Sequence, residues 1–369
     1  MKISILVLEN NFNHLSFYNS LFQILKGESI IVYTTKLIEE KILNSDIKFV
    51  VMNDNESVFK FLKKNRKNLN NSDSIIIEQP YTYFFSLIIN ILSLKTNKTL
   101  VIHNINTWCF PVGTAKIKIL IYNIIRQIIY KFSNDIIVVS PNLKHYLDKL
   151  VLDKNIYFFP FKHPNVNFVS RSNINNEKIK IIIPGMIDTK RREYDSILDA
   201  FLVSLNNGVN NIQLILLGKL NPNKSTIIQK ISDINQKYTN SIIYFTSFIP
   251  ENVFNQHLEL CDFLLSNLNT YYNNSKTPEI YGITKESGIS ALMIDYEKPC
   301  IIKGDFIPIN YSYNQCIVYN TQNDLINIFS DISVKNINSH AFSKIAVENK
   351  KKIIIETNKN KNNYLNNHS

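Results

Sequence analysis

The feature that most constrains the fold is a rhythm in which short runs of β-branched and other apolar residues alternate with longer stretches whose apolar residues recur at helical spacing. A strand buried on both faces reads as a continuous apolar run. Strands of that kind in alternation with helices belong to parallel sheets covered by helices. In the first part of the chain the runs fall at 3–8, 29–33, 47–51, 74–77, 99–102, 135–139 and 156–159. Helical patterns fill the gaps at about 15–26, 37–43, 57–67, 83–94, 115–132 and 141–150, the last opening on Pro141 at its first turn. The segment 161–178 breaks the rhythm with Pro164, several Asn and little apolar periodicity, as a linker does. The pattern then restarts with runs at 179–183, 212–217, 242–245, 263–265, 300–302 and 317–319.

At 369 residues the chain is too long for one ordinary core. The pattern predicts two α/β, Rossmann-like doubly wound domains, 1–165 and 178–335, facing across a cleft, and then a C-terminal helix with a frayed tail over 336–369. With 45% hydrophobic and 19% charged residues, both domains have enough apolar material for a core. The net charge of +11 favours acidic partners, but the cations are spread along the chain and no aromatic-basic module is visible, so nucleic acid ranks last. Cys109, Cys261, Cys300 and Cys316 have no metal-ligand spacing and read as reduced core residues. Residues 1–8 lead into Glu9 and Asn10 rather than a cleavage site, and so read as a first strand and not a secretory signal. The apolar stretch 81–94 is shorter than the roughly 20 residues a bilayer span needs. Matches to the glycosylation pattern, such as Asn97-Lys-Thr, are what chance gives in so Asn-rich a chain.

Two stretches carry chemistry. In the first, an apolar strand stops at Pro184-Gly185 and gives way to Lys190, Arg191 and Arg192 before a helix start. A Gly-containing turn after a buried strand lets backbone N–H groups and basic side chains converge on an anion. The plainer reading is a βα turn with solvated cations. In the second, Lys285-Glu286-Ser287-Gly288 opens an apolar helix that returns to a strand at Pro299. It offers a second anion-binding geometry, or simply a helix with Ser287 as its N-cap.

Together, Pro184-Gly185 with its three cations and Glu286-Ser287-Gly288 followed by Lys298-Pro299 resemble GT-B glycosyltransferases of the family 4, or group 1, type. The resemblance implies a nucleotide-sugar donor held by the C-terminal domain and an acceptor held by the N-terminal one. It also implies transfer with retention, no cofactor beyond the sugar nucleotide itself, and a cytoplasmic role in building polysaccharide. Gly185 matches the family's Gly near the donor phosphates, and Lys190 or Arg191 its basic pair on the diphosphate. Arg191 is the expected contact, with Arg192, Lys285, Ser287 and Gly288 as further donor-side groups. Glu286 matches the first Glu of the family's Glu-x7-Glu motif, which faces the donor sugar. At the second Glu stands Met293, so its ribose-holding role is lost or passes to Asp295 or Glu297. The Gly-rich loop often found after the family's first strand is replaced by residues 9–14.

His103 and Asn104 close a strand, where catalytic groups of open α/β sheets gather, and His103 resembles the family's strand-end His that contacts the transferred sugar. A lone strand-end His is otherwise a structural hydrogen bonder. On the acceptor side stand Asn104, His14 and Glu78; Glu78 holds the acceptor, serves as a base, or is an ordinary loop residue, and His14 and His163 are weaker candidates than His103. No Asp-x-Asp occurs, which argues against the metal-dependent alternative glycosyltransferase fold, and no metal is expected. The helix at 115–132 mixes Lys116, Lys118, Arg126 and Lys131 with a broad apolar face. Either it packs on the sheet with snorkelling cations, or it touches anionic lipid on the inner face of a membrane, as a lipid-linked acceptor would require. The other readings are a nucleotide-sugar epimerase of the same architecture, which needs additional carboxylates and His, and a catalytically silent nucleotide-sugar-binding protein, which the missing second Glu would suit.

Overall fold

The computed structural model describes all residues except 9–13, 43–46, 79–83, 112–116, 165–177, 188–190, 221–224, 273–276 and 369. The chain divides into two compact units: Met1–His163 with Asn273–Glu286 and Ile353–Ser369, and Pro164–Tyr272 with Ser287–Lys352.

Unit 1 is built on the strands β1 (Lys2–Val7), β2 (Ser29–Thr35), β3 (Lys48–Met52), β4 (Ser74–Ile77), β5 (Asn97–Ile102), β6 (Asp135–Val138) and β7 (Asn155–Phe158). All pair in parallel, in the order β3-β2-β1-β4-β5-β6-β7. Its helices are α1 (Leu15–Ile24), α2 (Lys36–Glu39), α3 (Val58–Asn70), α4 (Phe84–Leu92), α5 (Ile105–Cys109), α6 (Ile117–Phe132) and α7 (Pro141–Asp148). Ser57 and Ser140 cap α3 and α7 with their hydroxyls, and Pro141 opens α7. Every residue of β4 and β6 is buried, as strands with helices on both faces require.

Unit 2 repeats the plan with β8 (Ile179–Pro184), α8 (Tyr194–Asn206), β9 (Ile212–Lys219), α9 (Ser225–Lys237), β10 (Ile242–Phe245), α10 (Glu251–Glu259) and β11 (Phe263–Ser266). After the two-residue strands β12 (Tyr271–Tyr272) and β13 (Glu279–Ile280), of which β13 lies in unit 1, come α11 (Gly288–Asp295), β14 (Cys300–Lys303), β15 (Cys316–Tyr319) and α12 (Gln322–Ser333). The parallel order is β10-β9-β8-β11-β14-β15. Cys109, Cys261, Cys300 and Cys316 are free thiols, and burial pushes Cys109 and Cys261 up to about 12, which keeps them inert.

Two segments group differently from the sequence expectation. The final helix, α13 (Ser343–His368), is counted with unit 2 as far as Lys350 and its neighbours, but from Ile353 onward it belongs to unit 1. There Ile353, Thr357, Asn360, Tyr364 and His368 form a buried stripe at helical spacing. Tyr364 shares a 2.6 Å hydrogen bond with Ser74 at the start of β4, and His368 lies 3.1 Å from Asp135 at the start of β6. The segment ending in Glu286, expected in the second domain, also belongs to unit 1, for the reasons given next.

Candidate functional site

In each sheet the strand order reverses once, and the loops after the two strands flanking the reversal splay apart to leave a crevice at their C-terminal ends. In unit 1 the reversal lies between β1 and β4. His14 lies in the connection from β1 to α1, Glu78 directly follows β4, and His103 directly follows β5. The three come together. His103 Nε2 is 2.8 Å from Glu78 Oε1, and His14 Nδ1 is 3.5 Å from the same oxygen. The two imidazoles stack with centroids 4.3 Å apart and planes 4° from parallel. Phe17 and Phe161 meet the His103 ring edge-on at 5.2 and 5.9 Å, walling the cluster with apolar surface.

This donor set has the composition of a metal site, with all three ligand atoms within 4.8 Å of one another. A single ion, however, must lie close to both ring planes at about 2.0–2.1 Å from each nitrogen. Two parallel rings stacked 4.3 Å apart leave no such point unless one imidazole turns. The arrangement suits proton sharing instead. Glu78 fixes the His103 tautomer by accepting from Nε2–H, which makes Nδ1 the ring's accepting nitrogen.

Beside this cluster, Asn104 begins α5, and the chain segment around β13 is clasped onto it. The Glu279 carboxylate accepts from the Thr107 amide and hydroxyl, both at 2.8 Å, and from the Asn106 amide at 3.3 Å. These are the orphan donors of the α5 N-terminus, satisfied by a residue more than 170 positions away. Burial pushes the Glu279 carboxyl above its ordinary value of 4.5, while hydrogen bonds from Thr284, Thr107 and Asn106 pull it the other way. The Ile105 amide donates to Thr284 O at 2.8 Å, Asn142 Nδ2 to Gly282 O at 3.0 Å, and Lys285 Nζ to Asn104 Oδ1 at 2.5 Å. Lys285, expected at the donor phosphates, therefore has Asn104 as a partner, and the half-buried Glu286 closes the same segment in the unit that carries His103.

In unit 2 the reversal lies between β8 and β11. Pro184 ends β8, and Gly185 turns the chain at φ +93°, a left-handed conformation that favours glycine. The turn crosses the end of β9 so closely that a Cβ on Gly218 would lie 2.0 Å from the Gly185 carbonyl oxygen. The cations do not enter the helix, since α8 begins only at Tyr194. Arg192 instead pairs backbone to backbone with Leu268 just past β11, flanked by bonds from Glu193 N to Asn267 O at 3.0 Å and from Asn269 N to Arg191 O at 2.9 Å. The Arg192 guanidinium folds back over Gly185, 2.8 Å from where a Cβ would stand. It also donates to Asn267 Oδ1 at 3.4 Å. Asn267 is 1% exposed, and its Nδ2 has no hydrogen-bond partner among the described residues. A buried amide left unmatched at the crevice is a donor held ready for an acceptor that the described residues do not supply. Asn267 carries little signal in the sequence: polar Ser266 closes a fully buried strand and Asn267 follows it directly.

Lys190 lies outside the described residues, as do residues 9–13 of the connection from β1 to α1. Ser287 caps α11, its hydroxyl accepting from the Ile289 amide at 3.4 Å, and Gly288 is the first helical residue. Met293 is fully buried in α11. The Glu297 carboxylate is 2.9 Å from the buried Lys350 ammonium.

No family model matches the chain, and no curated protein matches it in sequence. Solved structures do match along the whole chain. Anabaena HepE in complex with UDP superposes with a TM-score of 0.67 at 12% identity, covering all of both chains. A glycosyltransferase from Rickettsia africae gives 0.63 at 13%, covering 100% of this chain and 97% of that one. The UDP-GlcNAc 2-epimerase from Neisseria meningitidis bound to UDP-GlcNAc gives 0.58 at 13%, covering 97% and 99%. The fold is therefore the GT-B fold, two doubly wound α/β units and a C-terminal helix.

Proposed function

We propose that the protein is a glycosyltransferase that moves a sugar from a nucleotide-sugar donor to a saccharide or lipid-linked acceptor, without metal and with retention. The observation that carries this reading is the group at the β8/β11 reversal. There a left-handed Gly185, the Arg192 guanidinium and the unmatched amide of buried Asn267 stand where an open α/β sheet takes its ligand. Together they suit a diphosphate. A cation and fixed N–H donors stabilise the charge that builds on a departing nucleoside diphosphate, which is the role a metal plays elsewhere. Arg191 and the amides at the start of α11, around Ser287 and Gly288, add to the same field. In unit 1, Glu286 and His103 are the groups for the transferred sugar, and Glu78 holds His103 in one tautomer beside His14. HepE and the Rickettsia enzyme lend support through shared fold, and the expected setting is the cytoplasm.

One observation favours a second reading. A nucleotide-sugar epimerase needs additional carboxylates and histidines, and the His14–Glu78–His103 cluster supplies them. Thermal-shift measurements with UDP- and GDP-linked sugars, followed by nucleotide release with a panel of acceptors, test both. Stabilisation with acceptor-dependent release is the expected result. Interconversion of free nucleotide sugars would mark the epimerase, and stabilisation without either reaction a silent binding protein.

A further inference from the structure

A helix lying on a sheet buries one stripe and turns polar residues outward; one that is apolar all round is either buried or facing lipid. The helix α6 packs on unit 1 through Asn123, Ile125 and Ile129. Its opposite face is not polar. Ile117, Leu120, Ile121 and Ile124 repeat at i, i+3, i+4 and i+7 as a second apolar stripe, 75%, 44%, 38% and 50% exposed. The stripe continues past half-buried Ile128 to Phe132, and a groove of about 490 Å³ runs beside it between Leu120, Ile124, Lys131 and Lys154. The adjoining helix α4 has no charged residue and exposes Ile89 and Leu92. Solitary exposed apolar residues need no explanation, but a patch of this kind marks a binding surface.

Charge decides the occupant. The residues of α6 include Lys118, Arg126 and Lys131 and no acid, and Lys154 joins them at the groove, where Asp153 is the one acid. A second copy docked symmetrically would set exposed Lys118 and Lys131 against themselves, whereas an anionic bilayer surface meets both the apolar stripe and the cations. We propose that the α6 face seats unit 1 on an anionic lipid surface, with Ile117, Leu120, Ile121 and Ile124 in the headgroup layer and Lys118 and Lys131 on lipid phosphates. The chain passes from β5 through α5 into α6 and on to the start of β6, so the exposed stripe occupies the end of α6 nearer His103. That placement suits a lipid-linked acceptor, but the docking itself does not depend on the proposed activity.

Flotation of the full chain with phosphatidylcholine vesicles and with mixed phosphatidylcholine–phosphatidylglycerol vesicles tests the proposal without substrate or turnover, so its failure leaves the transferase reading untouched. The protein should float with the anionic vesicles, and high salt should weaken the binding. Ile121→Glu with Ile124→Glu should lower the bound fraction by about tenfold or more while the melting temperature holds, because both side chains are exposed. Lys118→Gln and Lys131→Gln should each weaken binding by about fivefold. Equal recovery in the soluble fraction with and without anionic vesicles, or equal flotation of the Ile121→Glu/Ile124→Glu protein, would overturn it. A wild-type dimer that this double substitution converts to monomer, with no flotation by either, would assign the face to a second copy instead.

Discussion

The rings of His14 and His103 lie face to face, 4.3 Å apart and 4° from parallel, above one oxygen of Glu78. Glu78→Gln keeps the shape but presents an amide to His103 Nε2 and so releases the tautomer. It should lower turnover by about 10²- to 10³-fold with little change in donor-induced stabilisation, and His103→Ala by a similar factor. Single-turnover rates beside thermal shifts check this; a loss of donor binding equal to the loss of rate would remove the cluster from the chemistry.

Asn267 tests the donor side, because its buried Nδ2 has no partner among the described residues. Asn267→Leu removes the unmatched Nδ2 but also the Oδ1 that accepts from Arg192 at 3.4 Å, so the two effects offset and the unliganded protein should melt close to the wild-type temperature. Affinity for nucleoside diphosphates should nonetheless fall by about 10- to 100-fold, the size of a lost hydrogen bond to a charged group. Arg192→Ala should weaken affinity to a similar degree, read by calorimetric titration with UDP. Unchanged affinity in both would end the phosphate assignment.

At Gly218 the constraint is backbone against backbone. An added Cβ would stand 2.0 Å from the Gly185 carbonyl oxygen, which no side-chain rotation relieves. Gly218→Ala should cost about 2–3 kcal/mol of stability and displace the Gly185 turn. Urea denaturation measures the first effect, and weakened donor-induced stabilisation the second.

Glu279 makes the clasp on α5 depend on pH. Burial raises its folded carboxyl above 4.5, so the folded state holds its proton more tightly than the unfolded chain does. Its contribution to stability is therefore fully present below 4.5 and declines as pH rises through the folded value. The melting temperature of the wild type, relative to Glu279→Gln, should fall over that window and level off above it. A difference that grew with pH would mean that the Thr107 and Asn106 amides outweigh burial.

The strands of the two parallel sheets were legible because strands buried on both faces must be apolar along their length, and the structure places them within a residue or two of the sequence reading, whereas β12 and β13, two residues each, are too short to show a pattern. The helix α5 was missed because five residues are too few to show a period. The gathering of His14, Glu78 and His103 follows from strand order, which no local pattern states. Each lies at the end of or just beyond a strand, but only the reversal between β1 and β4 brings them together. The clasp of Lys285 on Asn104 and the seat of Tyr364 on Ser74 join residues 181 and 290 positions apart. Periodicity carries nothing over such distances, which is why both segments were expected elsewhere. Asn267 was hidden for a different reason: its significance is a missing partner, visible only once every neighbour is placed.

The pair formed by Lys350 and Glu297 bears on whether Glu297 could hold a nucleotide ribose, the role the sequence reading left to Asp295 or Glu297. Their charged atoms are 2.9 Å apart, with the side chains 5% and 9% exposed, and Lys350 also donates to Asp295 O at 3.2 Å. Glu297 sits at φ +56°, in the turn that ends α11, and its carboxylate is committed to that ammonium. Removing one member of a buried pair strands the other charge, at about 3–5 kcal/mol. Glu297→Gln and Lys350→Met should each destabilise unit 2 on that scale, and the two together by much less than their sum, in a double-mutant cycle read by urea denaturation. If the pair is purely structural, Glu297→Gln should still bind UDP with wild-type affinity well below its melting temperature. A selective loss of affinity for the nucleoside diphosphate over inorganic diphosphate would instead give Glu297 the ribose-holding role that Met293, buried and apolar, has no group to perform.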